Sequence, residues 1–129
     1  MAHPNEDITR AAYAAFSSGD LETLSGSMAD DVTWHVPGDS PIAGDYEGKE
    51  AVFGFFGKLA ELSGGTLNLE VHDILANDEH AVALVRGTAS RDGRELAQNA
   101  VHVMHVRDGK VAEFWSMQED QAEADAFWS

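Results

Sequence analysis

Histidine is the side chain in this sequence best suited to acid–base chemistry, because imidazole gains and loses a proton near neutral pH. The chain contains six histidines and no cysteine, which excludes a thiol nucleophile and a zinc–thiolate site. The histidines lack the HxH and HExxH spacings of metal sites. The glycines of AGDYEG and SGG lie outside a strand–loop–helix unit, so they indicate turns rather than a phosphate cradle. We therefore expect neither a metal nor a cofactor.

Alternation along the strands decides which side chains can meet a ligand. Over residues 95–107 it places Gln98, His102 and Met104 on one face. His35 and Trp34 are neighbours in a short predicted strand and face opposite ways if that strand is regular. The side chains that could take part in catalysis or binding are Tyr13, Trp34, His35, His72, Gln98, Asn99, His102, His105 and Trp115.

Two pairs of nearby side chains, each containing a histidine, are less promising as functional sites than their spacing suggests. His102 and His105 point to opposite faces of one strand, so they cannot bind the same metal ion. His72 and Asp73 are adjacent in another strand and cannot form a hydrogen-bonded dyad with each other. We expect one of them to be exposed and the other partly buried. His80 follows a turn and is expected to be solvated.

The elements that position these residues follow from hydrophobic periodicity and turn chemistry. Asp92-Gly93 and Asp108-Gly109 are strong hairpin signals. Helices followed by an antiparallel meander predict an α+β fold. The predicted order is helix 4–18 ended by Gly19, a short helix capped by Asp20 and carrying Leu21, Leu24 and Met28 up to Asp30-Asp31, strand 32–36, loop 39–48, helix 49–62, strands 66–76, 80–91, 95–107 and 110–117, and a terminal helix over 119–127.

Length and composition narrow the class of protein. A chain of 129 residues has the length of one domain, which we take to be 1–129, and 43% hydrophobic residues suit a globular protein. Eight Lys and Arg against 23 Asp and Glu give a net charge of −15, which argues against nucleic acid and anionic membranes as partners. No apolar run approaches a membrane span, and the start MAHPNEDITR does not look like a signal peptide. These features predict a cytoplasmic protein.

Four sequence segments, YAAFSSGDLETL, MADDVTWHVPG, GDYEGKEAVFGFF and HVRDGKVAEFW, carry a family resemblance. In this order they resemble the nuclear transport factor 2-like superfamily, and within it the SnoaL-like and ketosteroid isomerase-like proteins. The resemblance implies a cone-shaped, strongly bent, mostly antiparallel sheet wrapped around three N-terminal helices, with an apolar pocket holding a few polar groups. Members include isomerases, polyketide cyclases, dehydratases, epoxide hydrolases and non-catalytic binders, so the fold does not choose the function.

The catalytic set of ketosteroid isomerase is not intact in this chain. That family has a carboxylate base just before the proline that closes the first strand, where this chain has Val36. The position of its oxyanion-donating tyrosine aligns with Ala12, and Tyr13 is one residue away. Its protonated aspartic acid, a hydrogen-bond donor, aligns with His102. Steroid isomerisation by that mechanism is therefore not expected.

The limonene epoxide hydrolase set, an arginine between two aspartates, is also incomplete. Arg86 matches the arginine, but Thr88 and a position near Ser116 replace the two acids.

The resemblance leaves the first strand with two registers. The ketosteroid isomerase register turns Trp34 inward, whereas a bulge before the proline would turn His35 inward.

The resemblance implies a protein that binds a small, mostly apolar molecule. If it is an enzyme, it performs cofactor-free acid–base chemistry as an isomerase, cyclase, dehydratase or hydrolase. The alternative is a non-catalytic ligand carrier or a dimerising binding module. The residues expected at the site are His102 as the leading acid, base or oxyanion donor, Tyr13 or His35 as its helper, and Trp34, Phe56, Gln98, Met104 and Trp115 in the walls.

The predicted strands carry apolar residues on both faces. Ala100 and Met104 share one face of strand 95–107, while Val101 and Val103 share the other. A sheet that is apolar on both faces needs cover on both, and the helices cover only one. We therefore expect a homodimer through the outer face of the sheet.

Overall fold

Helices dominate the first half of the chain and antiparallel strands the second, as predicted. A computed structural model describes residues 3–129. The elements of this range are, in order, α1 (Pro4–Ser18), α2 (Leu21–Gly26), β1 (Met28–Val36), β2 (Gly44–Glu47), α3 (Lys49–Ser63), β3 (Asn68–Ala76), β4 (His80–Arg91), β5 (Arg94–Arg107), β6 (Lys110–Gln118) and α4 (Gln121–Trp128).

The two Asp-Gly pairs form the tight turns that fold the second half into a meander. Asp92 and Gly93 have φ of 51° and 80°, and Asp108 and Gly109 have φ of 53° and 73°. Two consecutive left-handed residues give a turn whose twist matches that of the flanking strands. β4 pairs with β5, and β5 with β6, directly across these turns. Both predicted hairpins are confirmed.

The sheet has the strand order β2-β1-β6-β5-β4-β3. Its single parallel pair is β1–β6, which connects the helical half of the chain to the meander. Every other neighbouring pair is antiparallel. The sheet curls around α1 and α3 without closing, so the predicted α+β cone is confirmed.

Two predicted boundaries near β1 are wrong. The short helix ends at Gly26, and Met28 and Asp30-Asp31 belong to the strand, because Met28 pairs with Val111 of β6 and is buried there. β2 lies within the predicted loop 39–48. Its residues GDYE have little intrinsic strand preference, and pairing with β1 supplies the order instead.

The helices fill the concave face, and their ends follow the predicted capping. Gly19 ends α1 in the left-handed conformation, and the Asp20 carboxylate accepts a hydrogen bond from the amide of Thr23. α3 buries Val52, Phe55 and Leu59. None of the helices within residues 3–129 is long and apolar enough to cross a membrane.

The terminal helix α4 docks tightly on the loop that follows β1. Gly38 has φ of 102°, and a Cβ added there would lie 2.1 Å from Oδ1 of Asp125 in α4. The backbone conformation therefore favours glycine at this position, and a Cβ would also push aside the side-chain ends of Asp125 and Gln121.

Gly38→Ala should lower the free energy of unfolding by about 1–3 kcal/mol, because it adds backbone strain and disturbs the Asp125 and Gln121 side chains. Gly57→Ala is the matched control, since Gly57 lies in α3 with open space around its Cα. The free energy of unfolding of this variant should rise by about 1 kcal/mol. Denaturant unfolding of both variants measures the difference. Equal stability of Gly38→Ala and the wild type would contradict this packing.

Candidate functional site

A histidine and a tyrosine meet on the concave face of the sheet. His102 on β5 is 7% exposed and lines the cavity. Tyr13 of α1 places its hydroxyl in a short hydrogen bond with Nδ1 of His102, and the two rings lie stacked with centroids 5.8 Å apart. Residues that are 89 positions apart in sequence are brought together because α1 packs across the meander.

Burial keeps both members of this pair uncharged at neutral pH. Desolvation lowers the pKa of His102 to about 4 and raises the pKa of Tyr13 well above its usual range. Within residues 3–129, the Tyr13 side chain has His102 as its one hydrogen-bond partner. Two tautomers of His102 satisfy this hydrogen bond: either Tyr13 donates to Nδ1 and the ring carries its proton on Nε2, or the Nδ1–H group donates to the Tyr13 oxygen.

Nε2 of His102 opens into the cavity. Within residues 3–129 this atom has no hydrogen-bond partner, while every fully enclosed side-chain nitrogen and oxygen in that range has one. The atom is therefore accessible from the cavity that its ring lines. Nε2 therefore presents either an N–H donor or a lone-pair acceptor to this space, depending on the tautomer.

The cavity is small and its walls are mainly apolar, built from aliphatic and aromatic side chains. Its volume is about 150 Å³. Trp34 stacks on Phe114 at 3.7 Å between centroids, and Phe56 meets Trp34 edge-on at 5.4 Å. Among residues 3–129, those that line the cavity include no Lys, Arg, Asp or Glu. A mostly apolar cavity with a few polar side chains has the general character of a small-molecule site.

Ser116 and Gln118 also line the cavity, and the sequence analysis did not select either as a site residue. Ser116 lies directly opposite His102 in the β5–β6 register, and Gln118 donates a hydrogen bond to its hydroxyl at 2.9 Å. Alternation along β6 was the available signal, because residues two and four positions after Phe114 face the same way. These two side chains extend the polar patch that His102 begins.

Six of the eight predicted site residues surround this cavity. They are Tyr13, Trp34, Phe56, Gln98, His102 and Met104. Their part in binding or catalysis stays a prediction. The amide of Gln98 is already engaged, because it donates to the carbonyl of Asp120 at 3.1 Å and accepts from the Asp120 amide at 2.7 Å.

His35 and Trp115 lie outside the cavity, so their expected place in the site is wrong. β1 runs without a bulge from Thr33 to its end, which pairs Trp34 with Phe114 on the inner face and His35 with Trp115 on the outer face. There the His35 ring lies 5.1 Å from the Trp115 ring. Trp34, not His35, therefore faces the ligand space.

His35 is bound by carboxylates on both of its ring nitrogens. Nδ1 lies 2.7 Å from Oδ1 of Asp45, and Nε2 lies 2.7 Å from Oε2 of Glu113. Hydrogen bonds to Asp45, then to Glu113, raise the pKa of His35 above its usual value. The two histidines thus have opposite tendencies, His102 toward the neutral form and His35 toward the charged form.

The remaining polar candidates lie away from the cavity. His72 and Asp73 are both exposed, which contradicts the expectation that one would be buried, because a bulge between Val71 and Asp73 breaks the alternation of β3. His80 is exposed, as expected. The exposed Arg86 donates to Asn99 at 3.2 Å on the surface. Over the described range 3–129, no three His, Asp or Glu side chains are arranged to hold a metal ion.

The lowered pKa of His102 makes folding sensitive to acid. The unfolded chain binds a proton at this residue more readily than the folded chain, so stability is lost as pH falls from 6.5 to about 4. Over this range the free energy of unfolding of the wild type should fall by about 3 kcal/mol more than that of His102→Asn. Urea unfolding at several pH values measures it. His72→Asn, altered at an exposed position, should keep the wild-type pH dependence of the free energy of unfolding. If that free energy falls equally with pH in all three proteins, the burial of His102 is contradicted.

Comparison with known proteins agrees with this fold. The SnoaL-like domain model matches residues 9–114. An uncharacterized protein of Mycobacterium bovis is 33% identical over 124 residues, covering 95% of both chains. The structure of Bal32a, from a soil-derived mobile gene cassette, is 35% identical, with a TM-score of 0.95 over 99% of this chain and 98% of that one. A nuclear transport factor 2-like protein of unknown function from Burkholderia pseudomallei is 23% identical and shares the fold, with a TM-score of 0.87 over 98% of each chain. The chain belongs to the SnoaL-like domain family.

Proposed function

We propose that this protein binds a small, uncharged, mostly apolar molecule and acts on it as a cofactor-free acid–base enzyme of the isomerase or cyclase type. The observation that carries the proposal is the buried Tyr13–His102 pair, which opens into a cavity lined by no ionised side chain. A charged ligand would lose its hydration there and gain no opposite charge. A neutral ligand with one oxygen function would place that oxygen at Nε2 of His102.

The pair can serve as a hydrogen-bond donor toward a carbonyl oxygen. With Tyr13 donating to Nδ1, the Nε2–H of His102 points into the cavity. A preorganised donor in a water-poor site stabilises negative charge that develops on the oxygen. This is the role that a protonated carboxylic acid plays at the same position in ketosteroid isomerase.

The other tautomer of His102 gives the same pair a second role. When Nδ1 carries the proton and donates to Tyr13, Nε2 is free to accept a proton from carbon, and the Tyr13 hydroxyl turns toward the ligand. The proton then passes from the ligand to Nε2, and the Tyr13 hydroxyl stabilises the enolate oxygen. Return of the proton from Nε2 to a different carbon completes an isomerisation. With a pKa of about 4, His102 is unprotonated at neutral pH and available as a base.

A non-catalytic ligand carrier is the second reading. The carboxylate base of ketosteroid isomerase is replaced by Val36, which lines the cavity as an apolar side chain. A carrier needs only the apolar walls and one hydrogen-bond donor. The two readings agree on binding and differ in whether proton transfer occurs.

Proton exchange of cyclohexanone in D₂O separates enzyme from carrier. This neutral, one-ring ketone matches the cavity size, and deuterium entering next to the carbonyl is measured by NMR. The enzyme should accelerate exchange, and His102→Ala should reduce the acceleration by about a hundredfold or more. Tyr13→Phe removes the oxyanion donor and should cost about a hundredfold.

His35→Gln is the matched control for this experiment, because His35 lies on the outer face of the sheet, and its exchange rate should equal that of the wild type. Binding of cyclohexanone with no acceleration of exchange supports the carrier. Absence of binding to the wild type contradicts both readings.

We also propose that the outer face of the sheet joins two copies of the chain. Val101 and Val103 are half-buried on this face, and Met117 nearby is 53% exposed. Apolar groups left at the surface favour association. Sedimentation at micromolar concentration should give twice 13.9 kDa, and Val103→Glu should give 13.9 kDa. A wild-type monomer of 13.9 kDa would contradict the dimer.

A further inference from the structure

The terminal helix α4 contributes one large side chain to the wall of the cavity. Trp128, the last residue of α4, lines the cavity and is 6% exposed. Phe127 beside it is 3% exposed and packs edge-on against the Trp128 ring, with centroids 4.9 Å apart. The bulkiest side chain of the helix therefore occupies space beside the cavity.

The beginning of α4 is fixed by a side chain from inside the cavity. The Gln98 amide makes two hydrogen bonds to the main chain of Asp120, the residue that precedes the helix. The Asp120 carboxylate in turn caps α4 by accepting from the amide of Glu123 at 3.1 Å. Gln121 reaches the carbonyl of Pro37 at 3.4 Å, across the end of β1.

The end of α4 is fixed by two arginines from the β4–β5 hairpin. Arg91 and Arg94 flank its turn and donate to main-chain oxygens of Ala126, Phe127 and Ser129 at 2.6–3.3 Å. Guanidinium groups at a helix C-terminus also compensate the negative end of the helix dipole. An eight-residue helix is not stable alone, so these contacts determine where Trp128 lies.

We infer that Trp128 is the specificity-determining residue of this cavity and restricts it to one-ring ligands. The inference rests on the proposed binding function. An apolar cavity of about 150 Å³ accommodates a molecule the size of benzene. Trp128 lines this cavity as a large, flat, well-held ring. A smaller side chain at this position enlarges the cavity.

Binding of phenol and 2-naphthol, measured by calorimetry, tests this inference. The two probes share one hydroxyl and differ by one fused ring. The wild type should bind phenol and discriminate against 2-naphthol. Trp128→Ala should lower the dissociation constant of 2-naphthol by about tenfold or more, because the second ring becomes buried. The dissociation constant of phenol should change by less than about threefold. Trp115→Ala is the matched control, since this tryptophan lies on the outer face.

Each outcome of this experiment decides a specific claim. A gain for 2-naphthol in Trp128→Ala alone supports the inference; no gain, or an equal gain in Trp115→Ala, overturns it. If Trp128→Ala does not fold by circular dichroism, Trp128→Phe decides in its place, with a gain of about threefold expected. Failure of every protein to bind phenol overturns the binding function itself, and with it this inference, whereas phenol binding without a size effect overturns the inference alone.

Discussion

The stacking of Trp34 on Phe114 across the parallel β1–β6 pair is the contact on which the remaining architecture depends. The rings lie 3.7 Å apart and within 8° of parallel. This pairing joins the helical half of the chain to the meander, and it sets the register of β1. Because side chains alternate along a strand, an inward Trp34 requires an outward His35. One contact therefore decides both the floor of the cavity and which histidine can reach a ligand.

The two histidines show how the same side chain acquires opposite properties from its surroundings. His102 is enclosed by apolar walls and a phenol, so the loss of hydration disfavours its charged form. His35 lies between Asp45 and Glu113, so hydrogen bonds and opposite charges favour its charged form. His35 connects β2, β1 and β6 through these carboxylates. A raised pKa contributes stability that is present below pH 6.5 and is lost as pH rises through the folded value.

Most of the fold was predictable from the sequence because its signals are local. The Asp-Gly turns, the cap at Gly19 and the period-two pattern of β5 each depend on a few neighbouring residues. The errors in the predicted fold come from pairing between strands that are distant in sequence. β2 is ordered by its partner strand, and the exposure of both His72 and Asp73 follows from a bulge that pairing with β4 creates.

Site prediction succeeded and failed for the same reason. Residues on the long, regular β5 were placed on the correct face by counting in steps of two. Trp115 was assigned to the cavity, but Phe114 faces inward in β6 and Trp115 faces outward. The register of β6 relative to the cavity is set by pairing with β1 and β5, which no local pattern in β6 reveals. Ser116 and Gln118 were missed through the same uncertainty.

The hydrogen bonds that the polar side chains of the cavity wall already make determine where a ligand could form its own. Several polar side chains in its walls are already satisfied by main-chain groups: Thr9 donates to Asn5, Ser27 to Leu24, and the Gln98 amide binds Asp120 at both ends. A satisfied donor gains little by exchanging its partner for a ligand. The groups with remaining capacity are His102 Nε2 and the Ser116–Gln118 pair, which sit on the adjacent strands β5 and β6. Under the proposed binding function, the oxygen function of a ligand would point to this wall, and its apolar body would lie against the other side chains that line the cavity.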